Sequence, residues 1–298
     1  MKIFITGGTG FVGVHLAAEY LDRGWEVTAT GTSPEHPLAG RQLFNYIGAD
    51  TTRPGEWQLS VKDADAVVNL AGRNIFNIWT EHYKTQIDDS RILTTRNLVN
   101  AIEPGRETVL LSASAAGFYG SRGDDVLTES MPPGDDFLAR VCVKWESEAQ
   151  KAEIKDTRVA LMRFGVVMGR GGGALSKMLP AFKFFAGGPL GSGMHWFPWI
   201  HIDDLSAATL FLLRQKNAAG VFNFCAPGMI RHKEFSRILG RILRRPSFMK
   251  TPAFLLKLLA GEMGAAMLNS QRATPDRLER SGFVFQYPEL DGALGALL

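Results

Sequence analysis

At 298 residues, 45% hydrophobic and 21% charged, the chain can bury a sizeable core as one large domain or two lobes, which excludes a disordered protein. The formal net charge is only +3 and the basic residues are scattered, so no electrostatic footprint for nucleic acid is present. Two cysteines, Cys142 and Cys225, stand far apart without metal-ligand spacing, which suits a reducing, cytoplasmic setting.

The chain enters a strand pattern directly after Met1 and Lys2, leaving no room for a secretory leader. Residues 2–6, 26–30, 64–70, 108–112 and 158–162 read as strands. Helical spacing falls between them: at 11–23, where Val12, Leu16 and Tyr20 share a face, and near 80–101 and 137–152. Such alternation predicts βαβ units and a doubly wound, parallel Rossmann-type sheet, an α/β fold. After about Gly169 the texture changes, with glycine clusters set among bulky apolar residues. A helix at about 204–213, a short strand at 221–224 and a mostly helical remainder follow. These textures predict a dinucleotide-binding domain at 1–168 and a smaller substrate-facing lobe at 169–298, interleaved with it. The most apolar stretch, 253–268, is interrupted by Lys257 and Glu262. It reads as an amphipathic or buried helix rather than a span, so no membrane partner is expected.

The strongest local signal is Gly7-Gly8-Thr9-Gly10-Phe11-Val12-Gly13, between the first strand and the first helix. Gly7 permits a tight turn, Gly10 lets the backbone approach a pyrophosphate, and Gly13 lets helix and sheet pack closely. The helix start adds unpaired N–H groups and the positive end of its dipole. This pattern predicts a bound dinucleotide.

Followed by further motifs, this loop resembles that of the extended short-chain dehydrogenase/reductase superfamily, the NAD-dependent epimerase/dehydratase group. The whole chain is similar to its "epimerase family" branch, also labelled nucleoside-diphosphate-sugar epimerase or cell-division inhibitor. The matching pieces include Asn69-Leu70-Ala71-Gly72, Ser90-Arg91, Ser114-Ala115-Ala116-Gly117-Phe118-Tyr119-Gly120, Lys144-Trp145-Glu146, Arg163-Phe164-Gly165 and Trp199-Ile200-His201-Ile202-Asp203-Asp204. The resemblance implies Asp50 near an adenine, and Leu70, Ala71, Gly72 and Val167 beside the rest of a cofactor. It also implies a small-molecule substrate and, as in many relatives, a homodimer.

An acidic residue closing the second strand would hold the ribose hydroxyls of NAD. Here that place reads Gly31-Thr32-Ser33, so NADP is favoured over NAD. The branch usually has arginine where this chain has Thr32, and Arg91 is the residue expected to supply the missing charge.

Hydride-transferring relatives use a tyrosine acidified by a lysine four residues on. None of the five tyrosines has lysine at that spacing. Leu138 and Cys142 stand where the resemblance places the pair. Ser114, at the carboxyl edge of its strand, and Tyr119, in the following loop, are the remaining catalytic candidates, with Lys144 or Arg140 nearby. His195, His201, Asp203 and Asp204 invite a metal. The resemblance instead makes the 201–204 turn a helix cap formed by an aspartate, and no metal is expected. Two readings follow: an NADP(H)-dependent oxidoreductase or epimerase-like enzyme using Ser114 and Tyr119, or a non-catalytic dinucleotide-binding regulator or partner-binding protein.

Overall fold

In the computed structural model, which describes all 298 residues, the apolar runs of the first half become strands covered on both faces. Along β1 (Lys2–Thr6), Ile3 and Ile5 enter one core layer and Phe4 the other, as the two-residue strand period requires. The chain continues through α1 (Phe11–Asp22), β2 (Glu26–Gly31), β3 (Phe44–Gly48), α2 (Trp57–Lys62), β4 (Ala66–Asn69), α3 (Glu81–Ala101) and β5 (Val109–Ala115). A short 3-10 turn (Ala116–Tyr119), β6 (Val126–Leu127), α4 (Phe137–Gln150), β7 (Arg158–Phe164), β8 (Val166–Met168) and α5 (Gly173–Lys183) follow. The last third holds β9 (Trp199–His201), α6 (Ile202–Arg214), β10 (Gly220–Phe224), α7 (His232–Leu243), α8 (Ala253–Ala266), β11 (Arg272–Ala273), α9 (Asp276–Arg280) and α10 (Leu290–Leu297).

Seven strands form one parallel sheet in the order β3-β2-β1-β4-β5-β7-β10. Strand order reverses between β1 and β4, so a crevice opens beyond their carboxyl ends, the usual ligand position in such sheets. One core layer joins α1 and α6 to the sheet through Leu16, Tyr20, Leu205, Met162 and Phe222. There the Tyr20 hydroxyl donates to Thr209 Oγ1 at 3.2 Å. The opposite layer packs Trp57 and Leu98 against Phe4, Val67, Leu110 and Leu161. A third cluster, built on Trp199, Phe235, Leu239, Leu290 and Leu294, holds the C-terminal elements together.

Two features, at β3 and α8, depart from the sequence expectation. The edge strand β3 is unannounced by its residues, because none of them is fully buried on either face. Past residue 168 the chain returns to the main sheet, where α6 covers one face and β10 extends it beside β7. Helix α8 is neither buried nor cleanly amphipathic, since only Gly264 is fully covered while Phe254, Leu258 and Leu259 face outward.

Candidate functional site

At the end of β1 the backbone turns through Gly7, whose φ of +66° suits glycine. A Cβ there would lie 2.9 Å from the Ala71 nitrogen and the Leu70 carbonyl. At Gly13 it would overlap the Gly7 carbonyl oxygen, so any side chain would push α1 off the loop. Gly10 is the N-cap and contributes no side-chain cap. The first helical bond runs from the Val14 N–H to the Gly10 carbonyl at 2.9 Å, which leaves the Phe11, Val12 and Gly13 amides pointing out of the helix start. These amides meet the chemistry of a phosphate. The Phe11 ring is wedged under residues 169–173, where a Cβ on Gly169 or Gly172 would collide with it.

Two buried groups hold the loop. The Thr6 hydroxyl donates to Asn69 Oδ1 at 2.7 Å and accepts from the Leu70 and Ala71 amides at 3.2 and 3.3 Å. His36 accepts from the Leu38 amide at its Nδ1, so its Nε2–H donates to the Gly8 carbonyl at 3.0 Å. His36 ties the segment after β2 to the phosphate loop, and sequence reasoning missed it. Thr9 packs against Gly31, while Thr32 and Ser33 are exposed at the tip of β2, where the first carboxylate after the strand in sequence is the exposed Glu35. Asp50 turns its carboxylate to the Thr52 amide and hydroxyl, at 3.1 and 2.7 Å.

The crevice beyond these strands is a cleft of about 670 Å³. Of the expected residues, Gly7, Gly10, Phe11, Val12, Gly13, Leu70, Arg91, Ser114 and Val167 line it. The structure places Arg91 elsewhere than expected. It stands against Gly72 with its guanidinium 5.2 Å over the Trp145 ring, on the β4–β5 side. The tip of β2 lies two strands away, about 10 Å at ordinary strand spacing. Arg91 donates only to the Ile87 carbonyl, at 3.1 Å. Burial pulls its pKa below the ordinary value, with the Asp88 carboxylate opposing. A desolvated guanidinium with most of its donors unspent is a ready partner for an anion or a ribose diol.

Ser114 ends β5 inside the cleft and donates to Glu146 Oε1 at 2.6 Å. Glu146 is gripped by both arms of Arg163, at 2.8 Å each. Because its proton is committed to Glu146, Ser114 offers the cleft lone pairs rather than a free donor. Tyr119 does not reach this cleft. It is fully buried, donating to Asn223 Oδ1 at 2.7 Å and accepting from Arg163 at 3.0 Å. Burial pushes its phenol up to about 12 in spite of Arg163, so it serves the network as a structural member. Lys144 pairs with Asp88 at 2.7 Å on the surface and Arg140 bonds the Asp135 carbonyl, so neither is near. Leu138 and Cys142 both line the cleft one helical turn apart. Burial, helped by the Glu146 charge, raises the Cys142 thiol to about 11, and it stays protonated at neutral pH.

The histidines go to different tasks. His201, not an aspartate, caps α6 by accepting the Asp203 amide at its Nδ1, 3.1 Å. Asp204 instead accepts the Gln286 and Tyr287 amides at 2.7 and 2.9 Å. His195 stacks on His232, ring centres 4.9 Å apart, and both line the cleft. No three metal-ligating side chains converge.

Comparison with known proteins gives a consistent picture. The profile of the NAD dependent epimerase/dehydratase family matches residues 3–225, and a domain of unknown function matches residues 251–297. The chain is 40% identical to the chloroplastic epimerase family protein SDR39U1 homolog of Arabidopsis thaliana, over 100% of this chain and 87% of that one. It is 34% identical to the epimerase family protein YfhF of Bacillus subtilis, over 100% of this chain and 98% of the relative. The crystal structure of human epimerase family protein SDR39U1 with NADPH superposes with a TM-score of 0.87 at 32% identity, covering 100% of this chain and 99% of that one.

Proposed function

The chain belongs to the NAD dependent epimerase/dehydratase family, and from that premise we propose that it binds NADPH and uses it on a small molecule held in the cleft. The observation that carries this reading is the set of free Phe11, Val12 and Gly13 amides over a turn that admits no side chain at Gly7 or Gly13. The diphosphate of the cofactor fits that cradle. The structurally similar human SDR39U1 was crystallised with NADPH, and the tip of β2 has no carboxylate to repel a 2′-phosphate. Thr32 and Ser33 are the groups for that phosphate, Asp50 stands on the adenine side, and Leu70, Ala71 and Val167 flank the remainder.

Bound there, the cofactor supplies a hydride. The chain's own residues orient the substrate. Ser114, its proton held by Glu146, accepts a hydrogen bond from a substrate hydroxyl that neighbours the carbonyl to which the hydride would pass. Arg91, short of partners and stacked on Trp145, supplies the cation that relatives obtain from the lysine of their catalytic pair. Calorimetry with NADPH and NADH tests the cofactor half, with tighter NADPH binding expected. If neither dinucleotide associates, the reading fails. A screen of carbonyl and hydroxyl compounds that follows NADPH absorbance tests the chemical half, with turnover expected to fall in Ser114→Ala.

A second reading, a dinucleotide-dependent regulator without turnover, is favoured by one observation. Leu138 and a protonated Cys142 occupy the one helix face that could present a proton-transfer pair to the cleft. The two readings part on whether any substrate oxidises NADPH.

A further inference from the structure

From Phe235 to Gly261 the chain contains no aspartate or glutamate, yet it carries Arg237, Arg241, Arg244, Arg245, Lys250 and Lys257. Arg237 and Arg241 pair with Glu234 and Asp291. Arg244, Arg245, Lys250 and Lys257 are exposed, as is neighbouring Lys183, and all five stand outside the ion pairs of the structure. Among them project large apolar side chains: Phe184 is 81% exposed, Phe248 77%, Leu258 76%, Phe254 69% and Leu259 68%. These segments adjoin one another. The Arg245 guanidinium lies 4.8 Å over the Phe185 ring, Gly188 abuts the Met249 backbone, Leu190 bridges to Thr251, and Gly191 faces Ala253. Exposed apolar and cationic side chains are thus gathered on the first part of α8 and the loops beside it.

We infer that this face docks on an anionic lipid surface, with Phe248, Phe254, Leu258 and Leu259 entering the headgroup boundary and the five free cations meeting lipid phosphates. Exposed aromatic and aliphatic side chains flanked by unpaired lysine and arginine are the composition that interfacial segments use. A second copy of the chain is the poorer occupant, because a two-fold contact through this face would oppose like charges whose one neighbouring acid on α8, Glu262, is already paired with Lys84. No helix is long and apolar enough to cross a membrane, and docking of this kind requires none. Past a break in α8 at Gly261 (φ +58°), the segment that follows Phe254 and Leu258 turns Met263 and Ala266 into the cleft, with Met267 just beyond it. Docking therefore sets the apolar end of the cleft beside the lipid, where a sparingly water-soluble substrate would be met.

Co-sedimentation of the full chain with vesicles of phosphatidylcholine alone, and of phosphatidylcholine mixed with phosphatidylglycerol, tests the inference. The expected result is binding to the anionic vesicles only, released as salt shortens the Debye length. Lys250→Gln and Lys257→Gln should each weaken it about fivefold. Phe254→Ser with Leu258→Ser should abolish it while thermal stability and NADPH binding stay unchanged, since both side chains are exposed. Absence of anionic-vesicle binding overturns the inference. So does binding to poly-glutamate but not to vesicles, or concentration-dependent dimerisation that Leu258→Ser removes.

Discussion

The two ends of the cleft are built from different materials. The phosphate end is backbone: three amides, a left-handed Gly7, and a Gly13 that tolerates no Cβ. The Ser114 end is side chain: a hydroxyl, a carboxylate, a guanidinium and a phenol passed from β5 to α4 to β7 and on to Asn223 of β10. A backbone site fails when something is added to it, whereas a side-chain network fails when something is taken away.

That contrast is sharpest in stability. Removing one partner of the buried Glu146–Arg163 pair, by Glu146→Ala, leaves a desolvated guanidinium and should destabilise the fold by about 3–5 kcal/mol, read from denaturant midpoints. If the loss is under about 1 kcal/mol, the network is not the unit described here. At the other end, Gly13→Val should displace α1 from the loop and weaken NADPH binding by a hundredfold or so, measured by calorimetry, because several charge-assisted bonds lapse together. Arg91→Ala tests the junction between the two materials. Loss of its charged contacts predicts NADPH or substrate binding weaker by about tenfold to a hundredfold, with little change in melting temperature.

Smaller effects sharpen the comparison further. His232, stripped of water and facing His195, is pushed down to about 3, so it is neutral in the folded chain and charged in the unfolded one below about 6.5. Stability is therefore fully present above the unfolded value and declines as pH falls from about 6.5 towards 3, by at most about 1.4 kcal/mol per unit. His232→Gln should flatten that slope in melting curves recorded across the window. Tyr119→Phe is expected to remove about 1 kcal/mol of stability and leave any turnover untouched, since the phenol never meets the cleft. A loss of turnover would restore Tyr119 as a catalytic group.

The same division explains what could be read from residues alone. Gly7, Gly10 and Gly13 announce a backbone requirement, so the loop, the helix behind it and the strand before it were legible. Ser114 was legible as a strand-end hydroxyl. Its partner Glu146 lies 32 residues away and only the β5–α4 packing joins them, so the direction of the Ser114 proton could not be seen. Tyr119 and Arg91 were misplaced for the same reason: a side chain's direction follows from packing, not from spacing. Residues 44–48 lack the continuous apolar run of a covered strand because β3 sits at the sheet edge. His36 gave no signal at all, a single histidine in a loop whose target is a carbonyl 28 positions earlier.

The late arrival of β10 beside β7 has a consequence for how the molecule is assembled. Five residues near position 220 complete a sheet whose other strands were all synthesised by position 164. Until they dock, β7 presents an open row of amides and carbonyls to any passing strand. A fragment ending at 168 keeps every group of the phosphate cradle but inherits that bare edge, and it should aggregate rather than bind. Nascent chains emerging from the ribosome face the same exposure for the interval between the two strands.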